Sequence, residues 1–297
     1  MKNKAPSITV VVSVKNEAKN IVRCLKSLGP ARRVVVIDSN STDETVSLAK
    51  AGGAEVMQFA YSGGYPKKRQ WALNTLNFST DWVLLLDADE VVPDALWQEI
   101  SEKLTGTSPY CGYLITKGFH FLGRKFRFGG FSHSAVALFR PGTAAFEELN
   151  NAGETPLDME VHERVIVNGP IGRLQTPLIH EDFKGLSAYI ERHNHYSSWE
   201  AGVRYCYLKS GHYGNSTIRP RLFGNVQERR RFLKNLAVRV PCEPWWWFLY
   251  HYVVRLGFLE WRPGLIASQI RAHYISQVRA KLYELKLRQR YKTPAGQ

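Results

Sequence analysis

Cysteine is scarce in this chain, and closely spaced cysteine pairs are missing. The 297 residues contain four cysteines, which lie far apart, and no Cys-x-x-Cys spacing occurs. This pattern excludes a zinc site built on paired cysteines, and a chain of this length needs no disulfide framework to stabilise its core. We interpret the four residues as reduced cytosolic thiols.

Long uninterrupted apolar runs are also missing. The most apolar stretch, residues 245–261, reads WWWFLYHYVVRLGFLEW and is interrupted by His251, Arg255 and Glu260. A membrane-spanning helix needs about 20 predominantly apolar residues, so we predict that this stretch lies at a membrane interface or in a core. Residues 229–231 are three consecutive arginines, which favours the interface, since anionic headgroups attract arginine while tryptophan settles at the interface.

Acidic residues are rare in the last third of the chain. Residues 204–297 hold 18 Lys/Arg and 4 Asp/Glu, whereas residues 1–203 hold 22 of each, so 18 − 4 accounts for the net charge of +14. The sequence therefore predicts a balanced globular domain, 1–203, followed by a basic, aromatic-rich extension, 204–297, whose partner is anionic. An apolar stripe over 265–285 predicts that this extension is helical.

Short β-branched runs alternate with helical patterns in the first hundred residues. Strands are predicted over residues 8–14, 33–38, 54–59 and 82–87. Ser41 and Glu44 fit a capping box before the second helix, and Pro66 fits the first turn of the third. Such alternation predicts an α/β fold with a parallel sheet, and the pattern after about residue 112 predicts further strands of a mixed sheet.

Carboxylates follow several of these strands at the point where each strand ends. In parallel sheets ligands bind beyond the carboxyl ends of the strands, so residues 15–17, 38–40 and 87–89 should meet at one rim. Asp87 and Asp89 are separated by one residue, a spacing that can bind a divalent cation and, through it, a diphosphate. The alternative is a solvated turn before the next helix, which Glu90 would begin.

Three stretches carry a resemblance to a known family. VVSVKNEAKNIVRCLKSL, VVVIDSNSTDETVSLAKAGGAEV and WVLLLDADE occur in this order and together resemble the family 2 glycosyltransferases of GT-A fold. GGYPKKRQWAL and VHERV resemble the subgroup that builds lipopolysaccharide core, which includes β-glucosyltransferases. The resemblance implies a Rossmann-like, mostly parallel central sheet flanked by helices over 1–203, with the helical basic extension following it.

The resemblance also implies a donor, a metal and the residues that bind them. The donor would be a UDP-sugar, the metal Mg²⁺ or Mn²⁺, and the anomeric carbon would be inverted. By position, Asn16 and Glu17 would line the nucleotide pocket, and Asp38 would hold the uracil or ribose. Arg69 would reach the base or phosphates. Asp87 would meet the ribose or metal, and Asp89 would bind the metal. His180 would complete the metal shell or be a structural histidine.

An inverting transfer needs a base that deprotonates the acceptor hydroxyl. The VHE stretch favours Glu163, with His162 beside it. Asp158 is a second candidate, and on a strand it would share one face with Glu160. Asp182 is a third, because HED is similar to the Glu-Asp pair found near a helix start in many family members.

The function that follows is transfer of glucose or another hexose to a lipid-linked or lipopolysaccharide-core saccharide, by a cytoplasmic enzyme peripheral to the inner face of the membrane. One alternative is a polyprenyl-phosphate glycosyltransferase, which would share the same rim. Another is a nucleic-acid-binding protein that uses the basic extension. Because the second alternative leaves the acidic rim unexplained, no nucleic acid is expected as a partner.

Overall fold

The computed structural model describes residues 7–106, 108–152, 157–160, 163–214, 219–224 and 226–292. Contacts along the chain divide it into two compact units. Unit 1 comprises residues 1–126, 131–146 and 157–185, and unit 2 comprises 127–130, 147–156 and 186–297.

Unit 1 is built on a large mixed sheet. Its strands, in chain order, are β1 (Ile8–Val14), β2 (Arg33–Asp38), β3 (Glu55–Gln58), β4 (Trp82–Asp87), β5 (Glu90–Val91), β6 (Gly112–Phe121), β7 (Arg124–Lys125), β8 (His133–Phe139), β9 (Ala144–Phe146), β10 (Val165–Val167), β11 (Ile171–Arg173) and β12 (Leu178–His180). The main sheet has the order β3-β2-β1-β4-β8-β6-β12-β5, with β7 and β11 also paired to β6. Strands β9 and β10 form a separate antiparallel pair.

The first four strands of this order are parallel, and β8 then turns the sheet antiparallel. The helices of unit 1 are α1 (Ala18–Lys26), α2 (Thr45–Ala51), α3 (Lys68–Thr75) and α4 (Asp94–Leu104). All seven residues of β1 are buried, because apolar clusters cover both faces of the sheet at this strand. The predicted α/β fold, with helices on a central sheet, is confirmed.

Two local predictions about helix starts are wrong. Helix α2 begins at Thr45 after Glu44, so Ser41 does not cap it; instead Ser41 donates its backbone N–H and its hydroxyl to the buried carboxylate of Asp38. Pro66 lies before α3, whose N-cap is Lys67. At α2 the buried carboxylate of Asp38 accepts the Ser41 groups that the local pattern assigned to a helix end.

Unit 2 is helical in the described residues. It contains α5 (Leu186–Ser210), α6 (Val226–Ala237), α7 (Glu243–Leu249), a π-helical turn (Tyr250–Val254), a 3₁₀ turn (Gly257–Glu260) and α8 (Trp261–Lys292). The predicted stripe on α8 buries Tyr274, Val278 and Leu282 against Ala201 of α5. The predicted domain boundary at 203–204 falls inside α5, and the separate role of the extension stays a prediction.

No helix among the described residues combines the length and apolarity needed to cross a membrane.

Candidate active site

The parallel register brings the ends of β1, β2 and β4 side by side. Val14 pairs with Asp38 on one side, and Ser13 pairs with Asp87 on the other. Three chain segments that are far apart in sequence therefore end at one rim of the sheet, as parallel strands require.

The loops after β1 and β2 hold each other. Asn16 adopts a left-handed φ of 54°, and its side-chain oxygen accepts the backbone N–H of Thr42 at 2.8 Å. Its own N–H donates to the Ser41 hydroxyl at 2.8 Å, while the carboxylate of Asp38 accepts the Ser41 N–H at 2.9 Å. Asn16 and Asp38 thus shape the predicted nucleotide pocket, and their contacts with a nucleotide stay predictions.

Asp87 lies between two cations. Arg69 from α3 pairs with its Oδ1, and Lys117 Nζ from β6 lies 2.9 Å from its Oδ2. Burial favours the neutral form of Asp87, but Arg69 and Lys117 outweigh it and hold the pKa of this carboxyl well below its usual range. With both oxygens facing cations, Asp87 is placed to orient Arg69.

Glu90 does not begin the next helix, so the prediction that it would is wrong. It lies in the short strand β5, is fully buried, accepts the backbone N–H of Asp87 at 3.0 Å and lies 2.6 Å from Lys117 Nζ. Burial raises the pKa of Glu90 above its ordinary value, against the lowering effect of Lys117. We call Asp87, Glu90, Arg69 and Lys117 the Asp87 cluster.

Asp89 and His180 meet on the other side of the turn. Asp89 Oδ2 lies 3.3 Å from His180 Nε2, because β12 pairs with β5 and sets His180 opposite Glu90. Burial lowers the pKa of His180, but the charges of Asp89 and Glu90 outweigh it and raise the pKa to about 9. The ring would have to lose this proton before its nitrogen could bind a metal ion.

Asp182 lies two residues beyond His180, close to the same turn. The backbone N–H of Glu181 donates to the carbonyl of Asp89 at 3.0 Å. Asp182 Oδ1 accepts the side-chain amide of Asn20 at 3.0 Å and the backbone N–H of Lys184 at 2.9 Å. We call Asp89, His180, Glu181 and Asp182 the Asp89 cluster.

Glu17 borders the Asp89 cluster. Its carboxylate receives Lys184 Nζ at 2.6 Å and the amide of Asn20 at 2.8 Å, the same amide that reaches Asp182. Burial raises the pKa of Glu17, which the Lys184 charge opposes. The predicted nucleotide residue Glu17 and the candidate base Asp182 are therefore joined through Asn20.

Glu163, which the VHE stretch favours as the base, lies in an ion pair. Its Oε1 receives Lys67 Nζ at 2.5 Å and the Tyr65 hydroxyl at 2.7 Å, and its side chain is fully buried. His162, predicted beside it, lies outside the described residues. A carboxylate held this way by a buried lysine is poorly placed to accept a proton from an acceptor sugar.

Residues 157–160 do not form a strand, so the predicted shared face of Asp158 and Glu160 is wrong. The Glu160 carboxylate instead accepts the backbone N–H groups of Arg69 and Gln70 at 3.1 and 2.9 Å, which caps α3. Asp158 pairs with the buried Lys68 at 3.3 Å. Burial would raise the pKa of Asp158, but Lys68 helps to hold it below its ordinary value, which makes it a weaker base.

A comparison with known protein families concerns the part of the chain that contains these strands. Residues 9–122 match the model of the family described as glycosyl transferase family 2. These residues form a family 2 glycosyltransferase domain. The predicted family and the predicted enzyme class are confirmed.

Two relatives match this glycosyltransferase along most of its length. One, an uncharacterized glycosyltransferase of Rickettsia typhi, is 27% identical over 293 residues, covering 95% of this chain and 89% of the relative. The other, the lipopolysaccharide core biosynthesis glycosyltransferase LpsC of Rhizobium meliloti, is 26% identical over 285 residues, covering 91% and 89%.

A solved structure matches over a smaller part. It is the glucosyl-3-phosphoglycerate synthase of Mycobacterium tuberculosis in complex with Mn²⁺, UDP and glucosyl-3-phosphoglycerate. The TM-score is 0.32 and the identity 25%, and the match covers 40% of this chain and 46% of the synthase.

The rim residues fit a metal ion whose ligands come partly from the protein and partly from a substrate. Among the described residues, no group of three or more His, Cys, Asp or Glu side chains is close enough to hold a metal ion by itself. Mg²⁺ is usually held by one or two protein carboxylates, with water and substrate phosphates filling the remaining positions. Asp89, with His180 beside it, supplies a donor set of that kind, whereas Asp87 is directed to Arg69 and Lys117.

Two lysines of the site, Lys117 and Lys184, are not among the residues predicted from the sequence. Lys117 contacts both acids of the Asp87 cluster, and Lys184 contacts Glu17. Lys117 lies in the middle of GYLITKGFHF, a strand otherwise rich in apolar residues, and this position is the signal that could have identified it. A buried lysine in a strand needs an acidic partner, and the rim is where the acids are.

Proposed function

We propose that this glycosyltransferase moves a hexosyl group from a UDP-sugar to a saccharide acceptor of the lipopolysaccharide-core type, with inversion and with Mg²⁺ or Mn²⁺. The observation that carries the proposal is the Asp89–His180 pair at the carboxyl end of β4, beside Asp182. The acceptor class is supported by the similarity to a lipopolysaccharide core biosynthesis glycosyltransferase over 91% of this chain.

The nucleotide side of the reaction is assigned to the loops after β1 and β2 and to Arg69. Asn16 and Asp38 fix the loop conformations through Ser41 and Thr42. Asp87 holds the guanidinium of Arg69, and the carbonyl of Glu160 accepts Arg69 Nη1 at 2.8 Å. A guanidinium fixed in this way is preorganised to bind the base or phosphates of the donor.

The metal side is assigned to Asp89 and His180. A divalent ion bound there would neutralise charge that develops on the leaving diphosphate. Asp89 would hold it through a carboxylate oxygen, and His180, once it has lost its proton, could add a ring nitrogen.

We assign the base to Asp182 rather than to Glu163. The acceptor hydroxyl must be deprotonated near the anomeric carbon, which is bonded to the diphosphate and therefore lies near the metal side. Asp182 lies beside the Asp89 turn, whereas Glu163 is committed to Lys67 and Tyr65. Asn20 and the Lys184 N–H both donate to Asp182 Oδ1, which orients the carboxylate.

The test is a transfer assay with purified protein and a panel of UDP-sugars, with Mn²⁺ or with EDTA. We expect UDP release from one UDP-hexose to rise when a core saccharide is added, and to stop in EDTA. A product of inverted anomeric configuration, read by nuclear magnetic resonance, supports the assignment. Equal UDP release with and without EDTA would overturn the metal dependence. Transfer to polyprenyl phosphate alone would overturn the assignment of a saccharide acceptor. A cytoplasmic, peripheral location stays a prediction.

A further inference from the structure

Residues 245–261, which we call the aromatic segment, expose apolar side chains to an unusual degree. Ten large apolar residues of this stretch are exposed, including Trp245, Trp246 and Trp261 at 70%, 58% and 74%. Soluble proteins rarely expose a contiguous apolar patch of this kind unless it contacts a partner.

Two polar side chains of the aromatic segment, His251 and Glu260, point inward. The Glu260 carboxylate is 1% exposed and accepts the backbone N–H groups of Arg127 and Phe128 at 2.6 and 2.8 Å. The buried His251 Nδ1 lies 2.6 Å from the Gly129 carbonyl, and the Gly129 N–H donates to the Arg255 carbonyl at 2.7 Å. An ordinary amphipathic segment buries apolar groups and exposes polar ones, so this arrangement is the reverse.

The backbone fixes that arrangement. The segment runs from α7 through a π-helical turn and a 3₁₀ turn into α8. Leu256 and Trp261 both have positive φ, at 58° and 57°. Positive φ is rare for bulky side chains and costs free energy, so it persists where surrounding contacts impose it. Here the contacts to residues 127–130 hold the segment in place. In sequence, Arg127–Gly130 shortly precedes β8.

The charges around the segment suit an anionic surface. Glu243, just before the segment, and Glu260, within it, are buried, with exposed fractions of 2% and 1%. Arg255 and Arg262 are exposed. The predicted contribution of Arg231 is wrong, because this arginine is buried and pairs with Glu147 at 2.5 Å. The exposed face therefore presents tryptophan and arginine without an exposed acid.

We propose that the aromatic segment is a membrane-docking surface, whose tryptophans enter the interfacial region of an anionic bilayer while Arg255 and Arg262 contact lipid headgroups. Tryptophan and arginine are the side chains that interfacial segments use for these two contacts. Exposed apolar area next to positive charge, with no exposed acid between them, is the combination that an anionic bilayer binds. The segment lies on the bilayer and does not cross it.

The test measures binding of the full chain to vesicles without any donor, so a failed sugar transfer leaves the readout unaffected. Vesicles of phosphatidylcholine with phosphatidylglycerol are compared with phosphatidylcholine alone. We expect Trp245→Ser/Trp246→Ser/Trp261→Ser and Arg255→Glu/Arg262→Glu each to lower the partition coefficient for anionic vesicles at least about tenfold. Quenching of tryptophan fluorescence by brominated lipids should fall in the first variant.

Matched controls come from the same unit outside the segment. Phe223 and Tyr283 are 98% and 65% exposed, so Phe223→Ser and Tyr283→Ser should bind vesicles as the unchanged protein does. Circular dichroism checks that each variant is folded. Equal binding of the unchanged protein to neutral and anionic vesicles would overturn the headgroup contacts. No vesicle binding, with light scattering showing a dimer that the tryptophan variant loses, would assign the surface to a second copy instead.

Discussion

The Asp87 cluster and the Asp89 cluster are named after acids two residues apart, and they differ in the groups that face those acids. Arg69 and Lys117 face Asp87, and Lys117 also reaches Glu90. Asp89 instead faces His180, and Asp182 is held by amide N–H donors. Arginine and lysine compensate the Asp87 cluster, whereas the partner of Asp89 is a histidine, which must lose its proton before it can bind a metal ion. We therefore propose that the first acid of the Asp-x-Asp motif orients Arg69 and that the second acid binds the metal ion.

The largest expected effect comes from removing the second acid. Asp89→Asn should lower the transfer rate about a thousandfold or more, because a bound metal contributes several kcal/mol of transition-state stabilisation and each ~1.4 kcal/mol is a factor of ten. Initial rates at saturating donor measure this effect. Asp94→Asn, at the exposed start of α4, is the matched control and should keep the rate. A rate for Asp89→Asn within tenfold of the unchanged enzyme would contradict the division.

The assignment of the base to Asp182, in the Asp89 cluster, should show the next largest effect. Asp182→Asn should lower kcat by about 10²–10⁴-fold, with donor binding kept, because a general base typically contributes that factor. Glu163→Gln should keep most of kcat. Rates as a function of pH, together with calorimetric donor binding, measure both variants. The reverse pattern, with kcat lost in Glu163→Gln and kept in Asp182→Asn, would return the base to Glu163.

On the Asp87 side we expect effects on stability. Lys117→Met leaves Asp87 and Glu90 without their shared lysine, and breaking a buried ion pair costs about 3–5 kcal/mol. Urea denaturation measures the free energy of unfolding. Lys125→Met, on the exposed strand β7, is the matched control and should be neutral. An unchanged free energy of unfolding in Lys117→Met would show that the cluster does not depend on this lysine.

The smallest effect concerns the cap of α3, the helix that presents Arg69. Glu160→Gln keeps the side-chain shape but removes one of the two carboxylate acceptors for the Arg69 and Gln70 N–H groups. Loss of a helix cap costs about 0.5–2 kcal/mol, so the free energy of unfolding should fall by about that amount. Glu102→Gln, exposed on α4, serves as the control. Equal stabilities in the two variants would remove Glu160 from the cap.

The strands and the rim could be predicted from sequence because both depend on local pattern. The run ITVVVSV is buried along its whole length, and parallel pairing then places Asp38 and Asp87 beside the end of β1. The family resemblance added the donor, which no spacing alone could supply.

The partners of each acid could not be predicted, because they come from distant parts of the chain. Lys117 is 30 residues from Asp87, and Glu163 is 96 residues from Lys67. Glu90 looked like a helix start because it precedes Pro93, yet it pairs in β5 with His180. Tertiary pairing decides which cation faces which acid, and local sequence patterns do not contain that information.

The most direct test of this division is UDP binding with and without Mn²⁺, measured by titration calorimetry. We predict that Mn²⁺ strengthens UDP binding to the unchanged enzyme and to Glu163→Gln, and that Asp89→Asn binds UDP weakly and equally with or without Mn²⁺. Metal-dependent UDP binding that persists in Asp89→Asn would contradict the assignment of the metal to Asp89.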